Sequence, residues 1–142
     1  MIRLSVIAAC LTLSASTPDS RIQVVDGDTV RQAGVTYRLV GFDAPERGAH
    51  ARCRYERELA ERASQRLQDL IDHGATLQAV ACHCPRAGPC NYGRSCAVML
   101  SPEHIPGARS IGVAEIMIAE GLARPYVCTY SGCPRRLPWC YS

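Results

Sequence analysis

Lysine is absent from this 142-residue chain, and all 16 of its basic residues are arginine. Each cation is therefore a permanently charged planar fork, suited to carboxylates and phosphates. There is no excess of one charge: 13 acids leave a net charge of +3. That excludes a charge-driven disordered tail or a histone-like binder, so any nucleic-acid contact must be local. Aromatics are scarce, with one Phe, one Trp and six Tyr, which leaves few platforms for stacking bases. No apolar run reaches the roughly 20 residues that a membrane-spanning helix needs. The length holds one domain and excludes two full ones. Leu, Ile, Val and Phe together supply only 30 residues, close to the level at which burial struggles to offset chain entropy. Nine cysteines are the candidates for stapling such a fold.

The first residues carry one positive charge at Arg3, an apolar run from 4 to 13, and small residues at Ser14, Ala15 and Ser16. This is the pattern of a short secretory signal over residues 1–16, and it places the mature protein outside the cytoplasm, secreted or periplasmic. Ile7-Ala8-Ala9-Cys10 also resembles a bacterial lipoprotein box, which makes a lipid anchor on Cys10 an alternative route. Either route removes Cys10 and leaves eight cysteines: Cys53, Cys82, Cys84, Cys90, Cys96, Cys128, Cys133 and Cys140. An even set in an exported chain reads as a disulfide framework, with on the order of 100 pairings open to it. Zinc is the competing reading, prompted by Cys82-His83-Cys84, but the spacing does not repeat as two ligand pairs. His50, His73, His83 and His104 read as surface residues.

Short β-branched runs over 21–30 and 35–40 predict three strands in a meander. Asp26-Gly27 between them predicts a hairpin turn with positive φ at both central residues. Apolar residues at Leu59, Ala60, Ala63, Leu67, Leu70 and Ile71 predict an amphipathic helix over 54–72, ended by Gly74. A fourth strand is expected over 75–82 and a fifth over 94–100. A second helix begins near Ile111, with Ser110 as cap, and stops at Gly121. An irregular tail, pinned by disulfides, follows from residue 125. The expected class is α+β, mainly β: a five-stranded Greek-key barrel of the OB type with two to three helices and a Cys-rich tail over 128–142. Such barrels commonly bind oligonucleotides.

If the strand from Thr29 pairs with the strand ending at Val40, Asp28 and Asp43 fall at the same end of the hairpin. Two carboxylates there make a hard-oxygen site for Ca²⁺ or Mg²⁺. Pro45 holds Ala44 extended, which lets the Ala44 carbonyl serve as a further ligand, with Glu46 just outside. Each of these also has a plain structural reading, as turn formers, helix-entry acid and ion-pair partners.

Four motifs stand in order: Val25-Asp26-Gly27-Asp28-Thr29; Arg38 through Glu46; Tyr92-Gly93-Arg94; and Ala119-Glu120-Gly121-Leu122-Ala123. Together they resemble the staphylococcal-nuclease-like (thermonuclease) family, in an exported cysteine-rich bacterial form, over residues 21–127. The resemblance implies a calcium-dependent phosphodiesterase cutting single-stranded or frayed DNA, and RNA, to 3′-phosphate ends. It implies Asp28, Asp43 and Ala44 as metal ligands, with Glu46 orienting or deprotonating the attacking water. Arg38 and Arg94 would grip the phosphate, and Tyr92 and Tyr126 would contact the nucleotide. The chain departs from the pattern at Asn91, where the family's best-known members carry Lys, and in having only Tyr126 near the stretch where they carry several Tyr. Two alternatives are a catalytically silent OB-fold binder of nucleic acid and a cysteine-rich zinc protein of the envelope. Nothing in the sequence demands more than a monomer.

Overall fold

The computed structural model describes residues 20–83, 91–102 and 112–140. The expected signal segment, Cys10, Cys84, Cys90, His104 and Ser110 lie outside the described residues. Alternation of β-branched and polar residues produces β1 (Gln23–Asp26), β2 (Thr29–Gln32) and β3 (Val35–Leu39), an antiparallel meander. The chain then enters β4 (Gly41–Asp43), helix α1 (Arg54–Asp72) and β5 (Thr76–Val80), followed by β6 (Ser95–Leu100), α2 (Val113–Ala119) and β7 (Arg124–Tyr126).

The five-stranded sheet runs β1-β2-β3-β6-β5, with β6 parallel to β3 and antiparallel to β5. β4 and β7 form a separate antiparallel pair, matching Asp43 with Arg124 and Gly41 with Tyr126. The mixed, mainly β class and the five-strand order agree with an OB-like fold. Closure into a barrel is not shown by the pairings among the described residues. The sequence reading also missed the β4–β7 pair, because two three-residue strands carry too little alternation to announce themselves.

The β1–β2 turn is not the one the sequence suggested. Neither Asp26 nor Gly27 has a positive φ. Asp26 pairs with Thr29 across a bulge, and the Asp28 N–H donates to Asp26 Oδ1 at 3.1 Å. The turn with two left-handed residues is instead Ala33-Gly34 between β2 and β3, with φ of 49° and 80°. Glycine at 27 answers a different demand. A Cβ there would lie 2.7 Å from the Cβ of Ala44 and 2.9 Å from that of Ala63. The turn is thus pressed between the end of β4 and the face of α1, and only a hydrogen fits.

Helix α1 spans the residues its periodicity predicted, and it buries Leu59, Ala60, Ala63, Leu67 and Leu70 against the sheet. Its Cys53 cap accepts the Glu56 N–H, and Gly74 just beyond has a φ of 98°. The core joins these residues to Val30, Leu39, Phe42, Met99 and the buried side of α2. Helix α2 is shorter than expected, beginning after Gly112. No helix among the described residues is long and apolar enough to cross a membrane.

Three disulfides tie the described cysteines: Cys82–Cys96 between the end of β5 and β6, Cys128–Cys133 within the tail, and Cys53–Cys140. The last joins residues 87 apart and fastens the tail to the start of α1. These six sulfurs are bonded to one another, so they are not thiolate ligands for zinc. Arg124 holds the same tail from the other side, donating to the Pro138 carbonyl at 3.0 Å and lying 3.9 Å over the Trp139 ring.

Candidate active site

The register that pairs Thr29 with Arg38 puts Asp28, in the β1–β2 turn, beside the last residues of β3. The Leu39 N–H donates to the Asp28 carbonyl at 2.8 Å, extending the ladder by one step. Leu39 also precedes the crossing to β4, which delivers Asp43 to the same place. Arg38 Nη2 lies 3.0 Å from Asp28 Oδ2 and 3.5 Å from Asp43 Oδ1. The two carboxylates expected to converge therefore do so. The Ala44 N–H donates to Asp28 Oδ2 at 2.9 Å, which locks the segment before Pro45 onto the turn.

Asp28 and Asp43 are both buried. Desolvation pushes the Asp28 carboxyl up from 3.8 to about 7; the Arg38 charge and the Ala44 N–H oppose that rise, while Asp26 adds to it. Asp43 Oδ1 is fully buried and accepts no well-aligned hydrogen bond; it is held by charge alone. Two buried carboxylates side by side, one of them met at Oδ1 by Arg136, have the oxygen chemistry that suits a hard cation.

Arg38 is mostly buried, and its fork is largely spent on the backbone. It donates to the carbonyls of Leu39 at 2.6 Å, Phe42 at 2.9 Å and Asp28 at 3.3 Å. Its first duty is to clamp the β3–β4 corner around the two acids. Arg94, just ahead of β6, reaches the cluster through Thr29: Nη1 donates to Thr29 Oγ1 at 3.3 Å, and that hydroxyl donates to Asp28 Oδ1 at 3.1 Å. Asn91, which stands where the family pattern carries Lys, orients Arg94 by accepting Nη2 on its side-chain oxygen at 2.9 Å and Nε on its carbonyl at 3.1 Å. Tyr92 is 97 % exposed, so it is not a core residue, and its ring lies 5.8 Å from the Arg94 guanidinium. Tyr126 sits at the far end of the β4–β7 pair from Asp43, and it is not brought into this cluster.

Glu46 is half exposed, and its N–H donates to Glu56 Oε1 at 3.3 Å. Buried Glu56 also accepts the Arg52 N–H at 2.8 Å, so one carboxylate pins the Glu46 loop to the start of α1. The residue that sequence reasoning missed is Arg136. From the tail it places Nη2 2.6 Å from Asp43 Oδ1 and Nη1 2.7 Å from Glu46 Oε1. Burial alone would lower its pKa, but the contacts with Asp43 and Glu46 outweigh that and hold the guanidinium above its ordinary value. An Arg-Arg pair between two tail cysteines was the visible signal. Its meaning depended on the Cys53–Cys140 pairing, which spacing does not reveal.

The family model described as staphylococcal nuclease homologue matches residues 36–137, most of the chain and all the described site except Asp28 and Thr29. No curated protein matches the chain.

Proposed function

Because the chain belongs to the staphylococcal nuclease homologue family, we propose that it is an exported, metal-dependent nuclease that hydrolyses phosphodiester bonds of DNA or RNA. The observation that carries this reading is the convergence of Asp28, Asp43 and two arginines, drawn from four separate segments, at one end of the sheet. A fold that needed only a barrel scaffold would have no reason to bury two carboxylates there at the cost of desolvation.

Asp28, Asp43 and the Ala44 carbonyl are the residues that would hold a divalent ion, with Ca²⁺ favoured and Mg²⁺ an alternative. When bound, such an ion supplies Lewis-acid polarisation of the phosphate and neutralises its charge. The remaining work falls to side chains. Arg94, oriented by Asn91, presents a guanidinium to phosphate oxygens, where charge-assisted bonds strengthen as the reacting group gains charge. Arg38 keeps the acids in register and offers the phosphate only what its backbone bonds leave free. Glu46, half exposed and on a loop anchored by Glu56, would take a proton from the attacking water once Arg136 yields its contact. Tyr92 is accessible for packing beside a sugar or base. The signal pattern and three disulfides support a secreted or periplasmic location.

A second reading has an observation in its favour. Arg136 already contacts Asp43 and Glu46, as it would in a silent nucleic-acid binder whose acids are only structural. Incubating the oxidised protein with heat-denatured DNA and with RNA, in Ca²⁺, Mg²⁺ and chelator, separates the two. The nuclease reading requires divalent-dependent cutting that Glu46→Ser and Arg94→Ala each reduce by at least 100-fold. Binding without cutting in every ion would leave the silent binder.

A further inference from the structure

The tail does more than cover the start of α1. Together with the turn over residues 48–52 it walls a cleft of about 490 Å³ whose lining includes Asp43, Glu46, His50, Arg52, Arg135 and Arg136. That volume is in the range of small-ligand sites, roughly 300–1,000 Å³. The cleft is polarised: Asp43 is buried, whereas His50, Arg52, Arg135 and Arg136 are exposed. Among the described residues, the side chains of Arg52 and Arg135 have no ion-pair partner, a state they share with Arg57 and Arg62 on α1; what sets Arg52 and Arg135 apart is that both line this cleft. Two unpaired forks and a third shared with the acids thus point into one groove that ends at the candidate active site.

The wall that carries Arg135 and Arg136 is rigidly held. Cys140 is bonded to Cys53, Trp139 is buried under the Arg124 guanidinium, and Arg124 also binds the Pro138 carbonyl. Holding two arginines in place this way lowers the ordering cost of using them on a ligand. Asp43 and Glu56 are buried in the cleft's floor while the cations stand at its mouth, so an anion repeated along a chain can meet several of them at once as it runs past Asp43.

We propose that this cleft is a second phosphate subsite, in which Arg52, Arg135 and Arg136 hold the backbone phosphate next to the one attacked. The inference rests on the nuclease reading for the identity of its ligand, a single-stranded polynucleotide. On binding, Arg136 exchanges part of its contact with Asp43 and Glu46 for a phosphate oxygen. The tail thereby makes the protein select a polynucleotide over a mononucleotide.

The test is binding in chelator, where no cleavage occurs. The affinity of the oxidised protein for a fluorescein-labelled eight-residue oligothymidylate is followed by anisotropy across a salt series, with thymidine 5′-monophosphate as competitor. Arg135→Ala/Arg136→Ala should weaken octamer binding about tenfold or more, and should flatten the salt dependence by about 1.4, at roughly 0.7 per lost phosphate contact on a single strand. The monophosphate should be weakened less than threefold. Arg57→Ala/Arg62→Ala, which removes the same two charges from the exposed face of α1, should leave the salt slope unchanged. Fluorescence of Trp139, the sole tryptophan, checks that the tail stays seated in each variant. Equal losses for octamer and monophosphate would show only a background potential and overturn the subsite, as would an unchanged or tighter octamer. Wild-type protein that binds the octamer with the expected slope but cuts nothing in any divalent ion would reject the nuclease reading and leave the subsite standing.

Discussion

Replacing Gly27 by alanine tests the geometry of the site without touching any charged group. The added methyl would meet the Cβ atoms of Ala44 and Ala63 at 2.7 and 2.9 Å, about an ångström inside ordinary contact. Neither neighbour has a flexible end that can swing away, so the turn must move off the helix or the end of β4 must shift. Overpacking of this kind costs about 1–3 kcal/mol. Against it stands the stiffer unfolded chain, which favours alanine by about 0.4–1 kcal/mol where φ permits, and here φ is not positive. The net expectation is a loss of about 1–2 kcal/mol, or a fall in Tm of about 4–8 °C for a domain of this size. Because Ala44 donates its N–H to Asp28 Oδ2, the same shift should weaken the rise in Tm expected from saturating Ca²⁺ under the proposed metal-site reading. Gly34→Ala is the contrast. Gly34 has a φ of 80° and open space around it, so alanine there should cost about 1 kcal/mol through backbone strain and leave the Ca²⁺ response intact. Thermal melts followed by circular dichroism, with and without Ca²⁺, read both effects. A Gly27→Ala protein as stable as the parent, or more so, would refute the close approach of turn, strand and helix on which the site is built.

Arg38→Lys keeps the charge but loses the fork that reaches three carbonyls and Asp28; denaturant unfolding should show a loss of roughly 2 kcal/mol, and a neutral result would mean that the clamp is not structural. The raised Asp28 pKa has a definite sign. The folded protein keeps this proton to about pH 7 while the unfolded chain releases it near 3.8, so the stability it contributes is full below about pH 4 and is lost as pH rises through 7. In metal-free buffer the Tm of wild type relative to Asp28→Asn should therefore fall between pH 4 and 7, and parallel curves would contradict the desolvation argument. Removing the Cys53–Cys140 bridge with a double serine variant should cost roughly 4 kcal/mol, because it frees a loop closed over 87 residues. It should also expose Trp139, shifting its fluorescence to the red, and unshifted emission would show that Arg124 alone retains the tail.

Some of this protein was legible in its sequence because the physics involved is local. The three- and four-residue recurrence from Leu59 to Leu70 specified α1, since helical pitch converts spacing directly into a buried face. Alternating β-branched runs marked β1 to β3 for the same reason, and the four ordered motifs between Val25 and Ala123 pointed to the family. What lay beyond reach depended on contacts between distant segments. Asp26-Gly27 carries the same letters as a primed hairpin turn, but the requirement at Gly27 comes from Ala44 and Ala63, 17 and 36 positions away. Arg38 looked like a free phosphate ligand until the β3–β4 corner placed three carbonyls around its fork. Arg136 was one arginine among 16 until Cys140 found Cys53 and set it against Asp43 and Glu46. Local periodicity determined the elements and the acids they carry. Chain closure, which brings together residues that no spacing rule relates, decided which cations those acids meet.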